Sequence, residues 1–327
     1  MSSIRPLTPP KLLRRLPAAR AYFRQHGLHM TLLRIARELR QGSKPAPRTG
    51  SAESRPAAAA AAPRTMIRST LKTRRDKAAV LRQHIANPST GLEISPNINP
   101  LVVSGGGVTV QYLDFCTTDQ LRAQAAAKGR NPAAVPQIDY VYDPQQLISE
   151  CVGGRTFDFV LSSHVVEHIP NLVGHFRDIS RILNEGGIYG LIVPDMSLCF
   201  DAGKSPTTLG QLIEAFVDDW KYAPISAMID EFRSAVWLGD KNAWSVDDGG
   251  VFFPKYRNWR QLITNVLRNP TSSKNWHGHV WRFTPETFAQ LWAEIRSFGL
   301  IDLNIRSVIP TQHMDFLCVM EKVASAK

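Results

Sequence analysis

The chain has 327 residues, with 39 lysines and arginines against 28 acidic residues, and 43% of its residues are hydrophobic. This length and composition suffice for one large domain or two small ones with a buried core. Its four cysteines show no C-x-x-C spacing, which argues against a disulfide framework or a cysteine-based zinc site. The sequence contains no run of about 18 apolar residues, so it predicts no transmembrane helix.

The positive charge is concentrated at the N-terminus. The first 75 residues hold 17 lysines and arginines but only two acids, Glu38 and Glu53, so the remainder carries a net charge of −4. Residues 1–41 alternate apolar residues with arginines and predict a basic amphipathic arm, which can lie on an anionic membrane surface. A solvated arm that packs loosely on its own domain is an alternative, and a mitochondrial presequence is a less favoured one. Because no base-reading motif accompanies the charge, we do not expect a nucleic-acid partner.

The first residues lack an uninterrupted apolar segment followed by a small-residue cleavage site, which argues against secretion. We therefore expect a cytoplasmic protein that the arm could attach peripherally to the inner membrane. Residues 42–69 are rich in Pro, Ala and Ser. Such a composition buries too little apolar surface to offset its ordering entropy, and it predicts a linker.

Residues 70–195 alternate short apolar runs with segments of helical period, which predicts an α/β fold with a parallel sheet. A helix at Leu71–Ile85 precedes the first strand. Between the fourth and fifth strands, Asn171 can cap a helix that is expected to end near Gly186. The five predicted strands are Gly91–Ser95, Val108–Phe115, Ile138–Tyr142, Phe157–Leu161 and Ile188–Val193.

Residues 196–283 interrupt this alternation and hold six of the seven tryptophans. They predict an inserted helical and aromatic cap, whose rings could form its own core or stack on a sugar. Thr284 then caps a helix with proline in its first turn, and strands at Ile301–Val308 and Met314–Met320 follow. The main domain is therefore expected to span residues 70–195 and 284–322.

The stretch from Phe157 to Asp195 reads FDFVLSSHVVEHIPN and, after a helical segment, ILNEGGIYGLIVPD. It resembles the fourth strand, fourth helix and fifth strand of the class I S-adenosylmethionine (SAM)-dependent methyltransferases, especially a bacterial branch found beside or fused to glycosyltransferases. The resemblance extends from Gly91 to Asp195 and, more loosely, from Phe283 to Lys322. It implies a Rossmann-like, mostly parallel seven-stranded sheet with an antiparallel last strand, and SAM as the cofactor.

The resemblance also implies which residues bind SAM. The family needs backbone room after its first strand, where this chain has Gly91 and Glu93, with Ser95 in place of a glycine. Asp114 lies 21 residues after Glu93 and would bind the ribose hydroxyls, while Asp143 would bind the adenine amine. At the end of the fourth strand, the methionine part and the methyl group of SAM would meet Ser163 and His164.

The segment His164-Val-Val-Glu167-His168 also matches H-x-x-E-H, a motif of inverted zinc proteases. This gives a metalloprotease as a rival function. Zinc ligands at that spacing need one helix that carries both imidazoles. Here the first histidine directly follows a strand and Pro170 comes soon after, so the protease is the less favoured function and we expect no metal.

Methyl transfer from a sulfonium requires alignment and, when the acceptor is a hydroxyl, a base. The candidate bases are His168, Asp195, His277 and His279, and the last two lie in one histidine-bearing stretch. The tryptophans of the insert and the branch that the chain resembles favour a hydroxyl of a sugar or glycolipid as acceptor. Because Ser95 replaces a glycine of the first loop, a non-catalytic binding module with the SAM fold is the alternative.

Overall fold

The computed structural model describes residues 66–143 and 145–324, so the predicted arm (1–41) and most of the predicted linker (42–69) lie outside the described residues. The strands are β1 Ser89–Ile94, β2 Val108–Asp114, β3 Tyr140–Val141, β4 Phe157–Ser163, β5 Leu183–Pro194, β6 Val236–Leu238, β7 Phe252–Pro254, β8 Leu303–Pro310 and β9 Asp315–Lys322. The helices are α1 Arg74–Arg82, α2 Thr118–Ala127, α3 Ile148–Cys151, α4 Leu172–Ile182, α5 Leu209–Val217, α6 Ile225–Ser234, α7 Trp259–Arg268 and α8 Pro285–Ser297.

Seven strands form one sheet in the order β3-β2-β1-β4-β5-β9-β8. Strands β1 to β5 pair in parallel, whereas β9 runs antiparallel to both β5 and β8. This order confirms the predicted Rossmann-like sheet with an antiparallel last strand. Because β1 to β4 run in one direction, their carboxyl ends share one edge, where such sheets bind ligands.

Helix α8 begins at the predicted cap, Thr284, whereas α1 covers only Arg74–Arg82 of the predicted Leu71–Ile85. Thr73, Thr117 and Thr284 each accept a hydrogen bond from a backbone N–H of the first turn and form capping boxes, and Pro285 occupies the first position of α8. These caps satisfy N–H groups that have no partner within the helix. One threonine at the N-cap position therefore fixes the start of each of these three helices.

Two predicted boundaries are wrong. Strand β3 is limited to Tyr140–Val141, because the N–H of Ile138 donates to the Thr118 hydroxyl at 2.9 Å instead of entering the ladder. Helix α4 ends at Ile182, and Gly186 with φ of 74° lies in an irregular opening of β5. The glycine supplies a positive φ, as expected, but in a bulged strand and not in a helix cap.

The core lies on both faces of the sheet. Helices α4 and α8 cover one face, where Phe176 and Trp292 stack with their ring centroids 4.0 Å apart. Helices α1 and α2 cover the other face through Leu81 and Leu121. Cover on both faces explains why the central strands read as continuous apolar runs.

The insert leaves the sheet directly after β5 and returns beside its own starting point. Asp195 and Phe283 form a parallel bridge, and the N–H of Met196 donates to the carbonyl of Phe283 at 2.8 Å. Between them lie α5, α6, α7 and the antiparallel hairpin of β6 and β7, with α5 packed on α4. The predicted cap (196–283) thus begins and ends beside the carboxyl end of β5. Its status as a separate domain stays a prediction. Among the described residues, no helix is long and apolar enough to cross a membrane.

Candidate active site

The carboxyl edge of the sheet aligns three of the predicted cofactor residues. Ile94 of β1 pairs with Leu113 on one side and with Ser162 on the other. The residues that follow them, Ser95, Asp114 and Ser163, therefore come at the same level on neighbouring strands. This common level fits a ligand that spans β2, β1 and β4.

Glu93 is buried within this edge and is engaged by protein groups. Its carboxylate accepts hydrogen bonds from the N–H of Leu101 at 2.8 Å and of Val102 at 3.2 Å, and a guanidinium nitrogen of Arg74 lies 3.6 Å away. Burial raises the pKa of Glu93 to about 7 in spite of these contacts. Through these hydrogen bonds Glu93 holds the loop that follows β1.

Gly91 and Ser95 are fixed by packing and by backbone conformation. A side chain at Gly91 would put its Cβ 2.1 Å from the ring of Phe159, so the glycine is required by packing against β4 and not by an open space. Ser95 has φ of 53°, the left-handed region that favours glycine. The serine therefore occupies the glycine conformation of the loop without being a glycine.

Asp114 and Asp143 stand at the ends of β2 and β3. Asp114 is buried and accepts a hydrogen bond from the N–H of Cys116 at 3.0 Å, and burial raises its pKa. Asp143 is exposed and accepts from the N–H of Gln145 at 2.9 Å. Each carboxylate is held by its own loop, in a conformation that leaves acceptor capacity for further donors.

Arg74 is a residue that the sequence reasoning missed. From the first turn of α1 it donates to the hydroxyl of Ser163 at 2.7 Å and to the carbonyl of Asn99 at 2.7 Å, in addition to its contact with Glu93. A basic residue one position after the Thr73 cap was the available signal. It brings a cation to the β1–β4 edge.

His164 takes a strained conformation directly after β4, with φ of 55°. Its N–H donates to the carbonyl of Ile192, and its Nε2 lies 3.4 Å from Asp315, which also pairs with Lys77 at 2.6 Å. This pairing turns the imidazole of His164 toward β9. Positive φ outside glycine is uncommon and recurs at functional sites.

A second cluster follows β4 and contains Glu167, His168 and His279. One oxygen of Glu167 lies 3.6 Å from Nε2 of His168 and 3.9 Å from Nε2 of His279, and the two imidazole centroids are 4.9 Å apart. The N–H groups of Val280 and Trp281 donate to the carbonyl of Glu167 at 2.8 and 3.1 Å. These backbone bonds bring the returning insert against the turn after β4.

The insert fixes His279 through a buried ion network. Nδ1 of His279 lies 2.6 Å from Asp201, which Lys204 approaches at 2.5 Å, and Lys204 also pairs with Glu231. Burial alone would lower the pKa of His279, but the hydrogen bond to Asp201 and the nearby negative charges raise it, whereas the same pair lowers the pKa of Asp201. The pKa of His168 is lowered, chiefly by burial.

The remaining candidate bases lie apart from this cluster. Asp195 is fully buried, with one oxygen 2.7 Å from Arg68 and the other accepting from the N–H and hydroxyl of Ser197. Asp195 thus caps the first turn of the insert. His277 is exposed, so of the histidines in its stretch only His279 joins the cluster.

The inverted-protease arrangement does not form. Val166–His168 is a single 3-10 turn, and His164 precedes it in a left-handed conformation. The two histidines of the motif are therefore not carried on one face of a helix, as the protease mechanism needs.

Fold and site define a Rossmann-like domain that presents a ligand edge at the ends of β1, β2 and β4. A family model described as "Methyltransferase domain" matches residues 73–295. The chain belongs to this methyltransferase family, and it is a SAM-dependent methyltransferase.

The chain is similar to several solved structures of methyltransferases. A methyltransferase from Clostridium acetobutylicum is 10% identical, with 77% of this chain and 92% of that chain covered and a TM-score of 0.39. The 1,6-didemethyltoxoflavin-N1-methyltransferase of Burkholderia thailandensis, solved with 1,6-didemethyltoxoflavin and S-adenosylhomocysteine, is 12% identical, with 77% and 78% covered and a TM-score of 0.37. A search of curated protein sequences finds no match.

Proposed function

We propose that the protein transfers the methyl group of SAM to a hydroxyl of a sugar or glycolipid. Asp114 binds the ribose hydroxyls, Asp143 the adenine amine, and Ser163 with Arg74 the methionine end. The alignment of Ser95, Asp114 and Ser163 at one edge supports this assignment. Arg74 offers a charge partner for the methionine carboxylate, a role that guanidinium groups fill well.

The cluster of Glu167, His168 and His279 carries the assignment of the acceptor side. SAM supplies a methyl group on a sulfonium. The acceptor oxygen forms a bond to the methyl carbon as the carbon–sulfur bond breaks, sulfur keeps the electron pair, and the hydroxyl proton must leave. A buried carboxylate between two imidazoles, next to His164 at the end of β4, provides groups that can take this proton.

A groove on the insert supports a sugar as the acceptor. It has a volume of about 510 Å³ and is lined by Trp237, Phe253 and Lys255 among others. Lys255 lies over the ring of Phe200 at 3.8 Å, and Phe200 packs on His279 with centroids 4.7 Å apart. Phe200 thus lies between the groove and His279, so the groove would hold a part of the acceptor other than the reacting hydroxyl. Exposed aromatic rings can stack on sugar faces.

Most other tryptophans of the insert pack internally, as a cap core requires. Trp244 and Trp281 are buried, and Trp281 stacks on Trp220 with ring planes 10° apart. Trp237 differs, because 37% of its surface is exposed beside the groove. The stacking function is therefore assigned to Trp237.

The proposal is tested by incubating the full chain with methyl-labelled SAM and a panel of nucleotide sugars and polyprenyl-linked sugars. Mass spectrometry should find a methyl ether. His279→Ala should lower turnover by about 10²–10⁴-fold with SAM binding retained, whereas His277→Ala, on an exposed neighbour, should leave turnover unchanged. Methylation at nitrogen or carbon, or SAM binding with no turnover on any acceptor, would contradict the proposal; the latter is the expectation for a binding module.

The groove has its own test. Trp237→Ala should raise KM for the sugar acceptor with little change in kcat, because it removes a contact made equally in the ground and transition states. Phe298→Ala, an aromatic residue that is 60% exposed at the end of α8, is the matched control. Equal effects of both substitutions would exclude the groove as the acceptor site.

The basic arm is proposed to attach the enzyme to an anionic membrane surface, in keeping with a glycolipid acceptor at the inner membrane. The support is the arm's net charge of +8, from nine lysines and arginines against Glu38 in residues 1–41. A chain that starts at Thr65 should fold, bind SAM unchanged and lose salt-sensitive binding to vesicles of anionic lipid. Vesicle binding that survives this truncation would assign attachment elsewhere.

A further inference from the structure

Glu167 is a buried carboxylate whose surroundings the fold alone does not explain. It is 1% exposed, and within the described part of the chain neither of its oxygens has a hydrogen-bond partner. Its nearest polar neighbours are imidazole nitrogens of His168, His164 and His279, at 3.6, 3.7 and 3.9 Å. An isolated buried carboxylate costs several kcal/mol, so a positive charge is expected to meet it.

The two histidines of the cluster are oriented as metal ligands are. Nδ1 of His168 donates to the carbonyl of Gly278 at 3.1 Å, and Nδ1 of His279 contacts Asp201 at 2.6 Å. Both contacts direct Nε2 toward Glu167. A carbonyl or carboxylate on the far nitrogen is the usual means of fixing the tautomer and orientation of a metal-binding histidine.

We propose that Glu167, His168 and His279 bind a divalent transition cation of the zinc class. Their ligand atoms all lie within 4.8 Å of one another. Two imidazoles and one carboxylate suit Zn²⁺ and leave an open coordination position, as catalytic zinc sites do. The ligands come from the turn after β4 and from the returning insert, so this site differs from the helix-borne H-x-x-E-H pair.

The chemical role of the cation rests on the proposed function. A cation at this position would lower the pKa of an acceptor hydroxyl in the open position, so that its proton could pass to solvent water. Glu167, His168 and His279 would then act as ligands instead of as the base. Binding of the cation does not depend on that role. The competing arrangement is an imidazolium of His279 held between Asp201 and Glu167, which would satisfy the buried charge without metal.

The test begins with the full chain, stripped by a chelator and titrated with Zn²⁺ by calorimetry. One equivalent should bind, and Co²⁺ in its place should give the intense visible absorption of a four- or five-coordinate site. Glu167→Gln and His168→Gln should each weaken Zn²⁺ binding at least about tenfold. His277→Ala, two residues from His279 and exposed, should bind as the parent does.

The proposal fails if the stripped chain binds less than one equivalent, or if Glu167→Gln binds Zn²⁺ as tightly as the parent. It also fails if Co²⁺ shows only the weak bands of the hexaaqua ion; this spectrum is recorded on the parent chain and so does not depend on the folding of a variant. SAM affinity of the stripped chain is measured in a separate titration, because the metal proposal does not depend on SAM binding. If the Zn²⁺-loaded parent chain binds Zn²⁺ but forms no methyl ether on any acceptor of the panel, the proposed function is refuted and the metal site remains.

Discussion

The two ends of the ligand edge are built in different ways. At the β1–β2 end, each carboxylate is held by its own loop: Glu93 by residues eight and nine positions on, and Asp114 by the N–H two positions on. At the β4 end, Glu167 meets His279 across 112 residues of chain, and Asp201 meets the same histidine across 78. The contacts at the proposed cofactor end are thus encoded locally, whereas those at the proposed acceptor end exist only once the insert has folded back on the sheet.

The largest expected effect concerns the buried network that joins the insert to the acceptor end. The side chain of Lys204 is fully buried between Asp201 and Glu231. Lys204→Met should lower the free energy of unfolding by about 3–5 kcal/mol, because it leaves buried carboxylates without their cation. Urea unfolding measures the change.

The matched control is Lys221→Met in the same insert. Lys221 pairs with Asp219 at 3.1 Å, but its side chain is 46% exposed, so the loss should be below about 1 kcal/mol. If both variants lose the same free energy of unfolding, the buried network at Lys204 does not hold the insert in place. The proposed contrast between the two ends of the ligand edge would then be wrong.

At the cofactor end, the second prediction concerns Glu93 and pH. Its pKa is raised from an ordinary 4.5 to about 7 in the folded chain, so the folded state binds a proton more tightly than the unfolded one. Its stabilising contribution is full below pH 4.5 and is lost as pH rises through about 7, a change of up to about 3 kcal/mol. Of its neighbours, Arg74 stays charged and Tyr112, whose pKa burial raises to about 12, stays neutral in this range.

Unfolding of the parent and of Glu93→Gln, compared from pH 4.5 to 8, measures this contribution. The parent should lose stability relative to the glutamine variant as pH rises. If it gains stability instead, the N–H groups of Leu101 and Val102 outweigh burial, and Glu93 is a charged anchor of the loop.

The same contrast between local and long-range contacts separates the features that the sequence predicted from those that it did not. Thr284 caps its helix as the local pattern predicts, and the alternation of strands and helices predicts the parallel part of the sheet. Arg74 was missed because its partner Ser163 lies 89 residues away. Lys204 has one near partner, Asp201, but the second, Glu231, lies 27 residues away. A lysine in a short polar turn carries no local sign that it will be buried. His168 and His279 were proposed singly, and only tertiary structure places them together.

The third prediction tests the ribose assignment at the cofactor end. Asp114→Ala should weaken SAM binding by about 1.5–3 kcal/mol, because the ribose hydroxyls lose a charged acceptor. Asp119→Ala, on α2 with a side chain that is 95% exposed, should bind SAM as the parent does. Calorimetric titration measures both. If Asp114→Ala retains the affinity of the parent, the ribose is bound elsewhere and the locally encoded end is not the cofactor end.

The smallest expected effect is a gain in stability at Ser95. Its φ of 53° costs a residue with a side chain about 1–2 kcal/mol, and part of the relief on substitution by glycine is offset by the greater entropy of glycine in the unfolded chain. Ser95→Gly should therefore raise the free energy of unfolding by about 0.5–1 kcal/mol, measured by urea unfolding. Ser95→Ala keeps the strain and should show no such gain.

The Ser95 pair also bears on the comparison between the two ends. The N–H of Ser95 donates to the carbonyl of Leu113 at 2.8 Å, so the backbone of this loop is already fixed and glycine should not change its path. SAM affinity of Ser95→Gly should then equal or exceed that of the parent, since the loop keeps its conformation and loses a side chain. A weaker affinity would show that the Ser95 hydroxyl contacts SAM, and the serine would be a binding residue instead of a strained substitute for glycine.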